Sequence, residues 1–170
     1  GMYLIDQHAA KERVNYEIYR EKLGNPCNDF VNLLFPITIE LSSDEFIILK
    51  ENFDVLRNIK IDIDEFGINS VIIKSHPVWL PKGYEEEALR KIIEVVLNKQ
   101  KDFSIYKFNE SIAIMLSCKM SIKANTNITI KEMENLIDDL RQCENPFNCP
   151  HGRPTIIFYS LSELEKQFKR

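Results

Sequence analysis

The chain opens with residues 2–12, MYLIDQHAAKE, in which an apolar run passes directly into an alanine- and glutamate-rich stretch. The run is typical of a buried strand and the following stretch of a helix. Asp6 stands at their junction, where aspartate is a common helix N-cap. Once the helix begins near His8, residues four apart share a face, so Glu12 could join His8 on one ion. Taken singly, these two side chains would more often form a solvated helix face.

A second unusual stretch, CPHGRP, occupies residues 149–154. Pro150 holds the chain out of a helix, so Cys149 and His151 can converge on one point, and Gly152 permits a sharp turn. A cysteine and a histidine framing a proline have no obvious packing purpose. If this stretch meets the first one, imidazole nitrogen, thiolate sulfur and carboxylate oxygen together form a donor set typical of zinc, with manganese possible where carboxylates dominate.

Cys118 offers another thiol at the end of an apolar segment predicted to be helical. It could be a metal ligand. A cysteine among apolar neighbours is more often a buried core residue, and that alternative is favoured on sequence alone. The neighbours in question are Ile112, Ile114, Met115 and Leu116.

Length and composition limit the classes of protein that this chain can represent. Its 170 residues, 44% of them hydrophobic, suffice for one ordinary domain or two small lobes. No apolar run approaches the roughly 18–20 residues of a membrane span, and no secretory leader is visible, so we expect a cytoplasmic protein. The chain begins on a strand with no room for a partner before it, which suggests a piece of a longer protein.

Cysteine usage and charge add two further expectations. The four cysteines, Cys27, Cys118, Cys143 and Cys149, are too few and too irregularly spaced for a disulfide scaffold, so reduced thiols are expected. The formal net charge of −4 excludes the chain as a whole from being an electrostatic clamp for DNA. Any contact with nucleic acid must therefore be local or assisted.

The remaining pattern predicts an α+β fold of two lobes. Helices are predicted over 8–23, 43–58, 84–99, 108–122 and 129–142 and from Ser160 onwards, and strands over 36–40, 59–65, 70–74 and 155–159. Ser42 with Glu45 three residues later predicts a capping box. The unit formed by residues 36–106 carries none of the candidate ligands and looks inserted, whereas residues 1–35 and 107–170 form the ligand-bearing lobe.

Four stretches in order resemble the motifs of one family, the C-terminal domain of MutL-type DNA mismatch-repair proteins. They are DQHA at 6–9 with Glu12 and Glu17, SCK at 117–119 with KAN at 123–125, CPHGRP at 149–154, and FKR at 168–170. The second departs from the Ala-Cys-Arg that is frequent in the family but keeps the thiol and the positive charge. The resemblance covers both ends of the chain and identifies residues 36–106 with the family's external regulatory subdomain.

The resemblance implies a homodimerising domain that nicks duplex DNA with zinc and manganese or magnesium, near the nucleoid. Asp6 and Glu12 carry over as catalytic residues. The implied metal ligands are His8, Glu12, Cys118, Cys149 and His151. We assign Glu12, Cys149 and His151 to the tighter zinc. Asp6, His8 and Cys118 would bind a neighbouring ion or support the residues that bind it. ATP would bind only in an amino-terminal part of the protein that is absent from this chain.

Residues 31–36, VNLLFP, resemble the family's sliding-clamp-binding segment, with Leu33, Leu34, Phe35 and Pro36 as its apolar part. Val31 stands where that motif has glutamine, so an apolar groove could still be filled while the amide hydrogen bonds are lost. A mismatch-recognition protein is a further implied partner. The alternative is that this segment is a buried lead-in to the strand at 36–40.

Three functional hypotheses follow in order of preference. The first is the nicking endonuclease domain, and the second is a non-catalytic adaptor or dimerisation module held by a structural zinc with four closed ligands. The third is a metal-sensing regulator. It ranks last because the chain contains no strongly basic recognition helix.

Overall fold

A computed structural model describes residues 1–25, 29–98, 104–121 and 126–169. Cys27, the KAN motif at 123–125, Arg170 and the predicted helix ends at Lys99 and Ile122 lie outside the described residues. The elements in chain order are β1 Met2–Ile5, α1 Gln7–Gly24, β2 Phe30–Glu40, α2 Ser43–Lys50, α3 Phe53–Asn58, β3 Asp62–Glu65, β4 Ser70–Pro77, α4 Glu85–Leu97, α5 Ile105–Lys119, α6 Ile130–Gln142, β5 Ile156–Tyr159 and α7 Leu161–Gln167. This mixture of helices and strands agrees with the predicted α+β class.

The chain divides into two compact units. The first unit comprises residues 1–18 and 116–170, and the second comprises residues 19–115. Their boundaries lie within α1 and α5 and differ from the predicted ones at 35/36 and 106/107. The assignment of one lobe to dimerisation and of an inserted lobe to regulation stays a prediction.

In the first unit, strand pairing brings the two ends of the sequence together. β1 and β5 are antiparallel, from Met2 opposite Tyr159 to Ile5 opposite Ile156. The Asp6 amide continues this pairing by donating to the Thr155 carbonyl at 3.0 Å. Residues 6–12 and 149–154 therefore start from adjacent points on one ribbon.

Helices α1 and α6 supply the apolar core of the first unit. The buried side chains of this core are Ala10, Val14, Leu136 and Leu140, with Cys143 and Ile156 packed against them. Ala10 and Val14 are four residues apart on α1, and Leu136 and Leu140 are four apart on α6, so each helix contributes one apolar stripe. The DQHA-bearing helix is thus held from its apolar side, which leaves another face for polar chemistry.

The second unit contains an antiparallel sheet with the strand order β2-β4-β3. Helix α3 contacts β3, and α2 contacts α4. Its largest fully buried apolar side chains are Leu49, Leu56, Ile61, Ile63, Val71, Ile73, Leu89, Ile92, Phe108 and Ile112. The register between β2 and β4 shifts between Asn32 and Ile37, so residues 33–36 form an irregular segment within the edge strand.

Local capping signals agree with the structure where they are strong. The Ser42 Oγ accepts a hydrogen bond from the Glu45 amide, and the Glu45 carboxylate accepts one from the Ser42 amide, which confirms the predicted capping box. The single helix predicted over 43–58 is wrong, because α2 ends at Lys50 and α3 begins at Phe53. The Asn52 side chain donates to the Ile48 carbonyl at 2.7 Å, and such a bond competes with the helical backbone.

Four strand or helix boundaries were also predicted incorrectly. β2 begins at Phe30 rather than at residue 36, and α5 begins at Ile105 rather than at residue 108. β3 begins at Asp62 rather than at residue 59, and β4 ends at Pro77 rather than at residue 74.

The buried lead-in proposed for residues 31–36 is also wrong, since Leu34 is 86% and Phe35 81% exposed. The apolar run at residues 2–5 forms the expected strand, but the prediction that it is buried is wrong, because all four of its residues are exposed. In the described ranges of the chain, none of the helices has the length and apolar character that crossing a membrane requires.

Candidate metal centre

The junction of β1 and α1 orients the first motif. Asp6 Oδ1 accepts hydrogen bonds from the His8 amide at 2.9 Å and the Ala9 amide at 3.1 Å. Asp6 therefore caps the first turn of α1, where N–H groups have no partner within the helix. This contact engages only one carboxylate oxygen, and a catalytic role for Asp6 stays a prediction.

Glu12 lies one helical turn beyond His8, and its carboxylate is the centre of the cluster. The side chain is fully buried, with 0% of its surface exposed. Its Oε1 lies 2.9 Å from the Cys118 Sγ and 3.2 Å from the His8 Nε2. Its Oε2 lies 2.7 Å from the Arg153 Nη2 and 3.4 Å from the His151 Nδ1. The two oxygens thus face two different sets of donors.

The CPHGRP stretch forms a tight loop beside this carboxylate. The Cys149 amide donates to the Arg153 carbonyl at 2.8 Å, and the Gly152 amide donates to the Cys149 carbonyl at 2.9 Å. Gly152 adopts a φ of +82°, which confirms the sharp turn expected there. Ligand atoms of Glu12, Cys149 and His151 all lie within 4.8 Å of one another.

Cys118 is not the buried core residue that the sequence alone favoured. It lies in the last turn of α5 and is exposed. Its Sγ donates to Glu12 Oε1 and lies 3.8 Å from the His151 Nε2. Its neighbours Ile112 and Leu116 are fully buried, so the apolar face of α5 passes through them and leaves Cys118 at the polar cluster.

The charges of the cluster follow from burial and hydrogen bonding. Burial opposes ionisation of Glu12, but hydrogen bonds from Cys118, Cys149 and Arg153, with the charge of Arg153, lower its pKa to about 2. Cys118 is exposed as a residue, but the cluster removes part of the water around its thiol. This partial desolvation, followed by the hydrogen bond to Glu12 and its charge, raises the pKa of Cys118 to about 11. A cation entering the site would therefore meet a carboxylate, and it would have to displace a proton to bind the Cys118 thiolate.

Two residues of α1 to which the sequence assigned no role, Arg13 and the motif residue Glu17, support the loop before Cys149. Glu17 accepts hydrogen bonds from the Glu144 amide at 2.8 Å and the Asn145 amide at 3.2 Å. The Arg13 Nη1 lies 3.5 Å from the Glu17 Oε1, and the Arg13 Nε donates to the Asn148 carbonyl at 2.5 Å. The spacing of four between Arg13 and Glu17 was a readable signal for an ion pair on α1. Their contacts with residues 144–148 had no local signal.

Ser121, which carries no motif signal in the sequence, also contacts this cluster. Its Oγ lies 3.1 Å from the His8 Nδ1 and donates to the Cys118 carbonyl at 2.7 Å. His8 and Ser121 are 113 residues apart. No periodicity or short motif links positions so distant.

Comparison with known proteins identifies the family of this chain. The family model described as the MutL C-terminal dimerisation domain matches residues 1–128. The chain belongs to this family. The resemblance drawn from the four sequence motifs is therefore confirmed. The family model ends before the CPHGRP loop, which lies within the 170 residues that the curated relatives match.

Curated relatives of this MutL-family domain match over all 170 of its residues. The DNA mismatch repair proteins MutL of Listeria innocua and Listeria monocytogenes are 52% and 51% identical to it, and the chain covers 28% of each. The DNA mismatch repair protein MutL of Staphylococcus epidermidis is 49% identical, and the chain covers 26% of it. The chain thus spans little more than a quarter of the length of these relatives.

Proposed function

We propose that the chain is a homodimerisation domain and metal-dependent DNA-nicking endonuclease of a mismatch-repair MutL protein. The observation that carries this proposal is the buried Glu12 carboxylate, whose two oxygens face His8 and Cys118 on one side and His151 on the other. Nitrogen, sulfur and oxygen donors converging on one buried carboxylate have little packing value, and they are the donors that divalent zinc prefers.

The distance from each Glu12 oxygen to its neighbouring histidine nitrogen fits a pair of ligands on one ion. Ligand atoms about 2.1 Å from one tetrahedral ion lie about 3.4 Å from each other. The Glu12–His151 and Glu12–His8 atom pairs are 3.4 and 3.2 Å apart. We assign a zinc ion to Glu12, Cys149 and His151. A manganese or magnesium ion is assigned next to Asp6, His8 and Cys118, with Glu12 shared between the two ions.

Bound metal would activate water and stabilise charge on the scissile phosphate. The chain's own residues would supply the rest. Glu12 would hold the ions in place, and Arg153, which is half exposed, could also meet the phosphate. Asp6 Oδ1 remains in the helix cap, so the proposed catalytic role of Asp6 falls to its Oδ2, which could take a proton from the attacking water.

The capping role of Asp6 makes a precise test available. Asparagine caps helices about as well as aspartate, so Asp6→Asn should keep the fold while removing the negative charge. In a full-length MutL protein carrying this domain, we expect Asp6→Asn to abolish manganese-dependent nicking of supercoiled plasmid. Asp54→Asn, which changes an exposed aspartate of α3, is the matched control and should nick like the wild type. Unchanged nicking by Asp6→Asn would remove Asp6 from the mechanism.

Metal content tests the centre independently of nicking. Elemental analysis should find zinc in the wild-type chain and little in Cys149→Ser or Glu12→Ala, provided that circular dichroism shows each variant folded. Loss of zinc in both variants would support one site built from both ends of the chain. A folded wild-type chain that takes up neither zinc nor manganese would refute the proposal.

The structural-zinc module remains the second candidate because one observation favours it. Ligand atoms of Glu12, Cys149 and His151 converge within 4.8 Å, and the Cys118 Sγ lies close by, 2.9 Å from Glu12 Oε1 and 3.8 Å from His151 Nε2. Cys118 could thus supply the fourth donor that a closed structural site needs. In that case zinc would bind, yet the full-length protein would not nick DNA with any divalent metal. Zinc removal would then lower the unfolding temperature as its main effect.

The pairing of β1 and β5 suggests the dimer surface. Its exposed apolar side chains are Met2, Tyr3, Leu4, Ile5, Ile157 and Phe158. A two-stranded ribbon is marginally stable by itself, and a contiguous exposed apolar patch usually marks an interface. We propose that a second copy covers this ribbon through a two-fold axis, in keeping with the family's description as a dimerisation domain.

The exposed residues 34–36 support a proposal for a sliding clamp as partner. Leu34 and Phe35 project from the irregular part of the edge strand, where an apolar groove could receive them. Replacing both by alanine should weaken binding to a bacterial sliding clamp, and Val31→Gln should strengthen it. Ile68→Ala, at an exposed turn residue, is the control. Equal binding by all variants would exclude this segment.

A further inference from the structure

Ser121 makes two polar contacts, and the shorter of them favours one direction of its hydroxyl proton. Its Oγ lies 2.7 Å from the Cys118 carbonyl, which can only accept a hydrogen bond, so the serine proton points there. The Ser121 amide is directed at the same carbonyl at 3.3 Å, which keeps the serine in place at the end of α5. The serine oxygen is left as an acceptor toward the His8 Nδ1, 3.1 Å away.

This arrangement favours one form of the His8 ring. A neutral imidazole carries one proton, and a proton on Nδ1 leaves Nε2 as a lone pair. That lone pair lies 3.2 Å from the Glu12 Oε1. Without Ser121, the opposite form would suit the metal-free site better, because Nε2–H could donate to the Glu12 carboxylate. A lone pair on Nε2 that faces a lone pair on the Glu12 Oε1 is favourable only when a cation binds both atoms.

We infer that Ser121 is a positioning residue, which holds the proton of His8 on Nδ1 and so presents Nε2 to a divalent cation beside Glu12. The inference rests on the proposed function. A histidine that binds metal usually donates its other ring N–H to a fixed acceptor, and loss of such an acceptor typically weakens metal binding about 10- to 100-fold. Here the acceptor is a hydroxyl that is itself anchored on the carbonyl of another candidate ligand, Cys118.

The test compares Ser121→Ala, Ser121→Thr and Ser111→Ala in the 170-residue chain. Ser111 is the matched control, because its hydroxyl also donates to a backbone carbonyl of α5, at 2.9 Å from Lys107. The first measurement is the ring-nitrogen NMR spectrum of the metal-free chain at about pH 8.5, well above the ordinary pKa of histidine. His8 signals are identified by their loss in His8→Asn. The second measurement is the affinity for manganese and zinc by titration calorimetry.

We expect the wild type and Ser111→Ala to show His8 protonated on Nδ1 and to bind metal equally well. Ser121→Ala should move the proton to Nε2 and weaken metal binding by about 10-fold or more, and Ser121→Thr, which keeps the hydroxyl, should restore both properties. A wild-type His8 protonated on Nε2 would overturn the inference, as would a Ser121→Ala variant with unchanged ring signals and affinity. Both results would leave the proposed function standing if the wild type binds metal. A wild type that binds no metal would overturn the proposed function and, with it, the cation assigned to Nε2.

Discussion

Arg153 Nη2 donates to Glu12 Oε2 at 2.7 Å, across 141 residues of sequence. This contact supplies positive charge to a fully buried carboxylate, and it comes from the same loop that carries Cys149 and His151. A buried carboxylate without a counter-charge is costly, so the guanidinium stabilises the metal-free cluster. A bound cation would take over part of that role.

Replacing Arg153 by glutamine should therefore destabilise the metal-free chain more than the metal-bound chain. Because half of the Arg153 side chain is exposed, we expect a loss of about 1–3 kcal/mol in the free energy of unfolding, measured by urea titration. Zinc should restore most of it. Arg141→Gln removes an exposed ion pair with Asp138 on α6 and serves as the control. Equal losses with and without zinc would contradict this account.

Glu17 should affect metal binding through the loop that it supports. Glu17→Ala leaves the amides of residues 144 and 145 without their acceptor, and we expect about 1–3 kcal/mol less unfolding free energy and weaker zinc binding. The comparison is with Glu21→Ala, a change of an exposed glutamate on the same helix. Wild-type zinc affinity in a destabilised Glu17→Ala chain would make Glu17 purely structural.

The proposed dimer surface can be tested with two matched aromatic residues. Phe158 is 52% exposed on β5 and packs 4.7 Å, centroid to centroid, from Tyr3, whereas Phe66 is 51% exposed at the β3–β4 turn. Phe158→Asp places a charge in the proposed interface and should shift the chain to monomer in sedimentation equilibrium. Phe66→Asp should leave the mass unchanged. The surface assignment fails if both variants sediment alike.

The second unit offers a pH-dependent ion pair. A hydrogen bond from Lys74 at 2.7 Å, aided by the charges of Lys74 and Arg57, lowers the pKa of Asp64. Since the folded pKa lies below the unfolded value of about 3.9, the stabilisation is complete above that value and is lost as the pH falls through the folded pKa.

Asp64→Asn should therefore lower the unfolding free energy by at most about 1 kcal/mol at pH 7, because the pair is partly exposed. The difference from wild type should shrink as the pH is lowered from about 5 toward the acid limit of folding, measured by urea titration at each pH. The control is Asp54→Asn, since Asp54 is 95% exposed and 3.9 Å from Arg57. A difference that grows in acid would disprove the assignment.

Features that depend on neighbours within about four residues were predictable. The capping box of Ser42 and Glu45, the cap formed by Asp6 and the turn at Gly152 each follow from side chains that reach their own backbone or from one residue's allowed angles. The adjacency of His8 and Glu12 follows from helical periodicity. The family could be inferred for the same reason, because its motifs are short and local.

The break at Asn52 and the early start of β2 were not predicted, because the local sequence at these two places does not clearly favour one secondary structure over another. A single asparagine hydrogen bond to Ile48 interrupts an otherwise helical pattern, and pairing with β4 extends β2 through a segment that has no clear alternation. Strand propensity expresses packing and pairing more than an intrinsic preference of the backbone, so such a boundary depends on the partner strand.

Local chemistry thus determined which residues could bind a metal, and the tertiary structure decided which of them meet. Cys118 lies 106 residues from Glu12 and Arg153 lies 141 residues from it, yet both contact its carboxylate within 3 Å. The Arg153 contact follows from the β1–β5 pairing and the packing of α1 against α6, where burial of apolar surface offsets the entropy of closing long loops. The spacing of residues along the sequence does not predict such long-range contacts, so the roles of Arg153, Glu17 and Ser121 appear only in the folded chain.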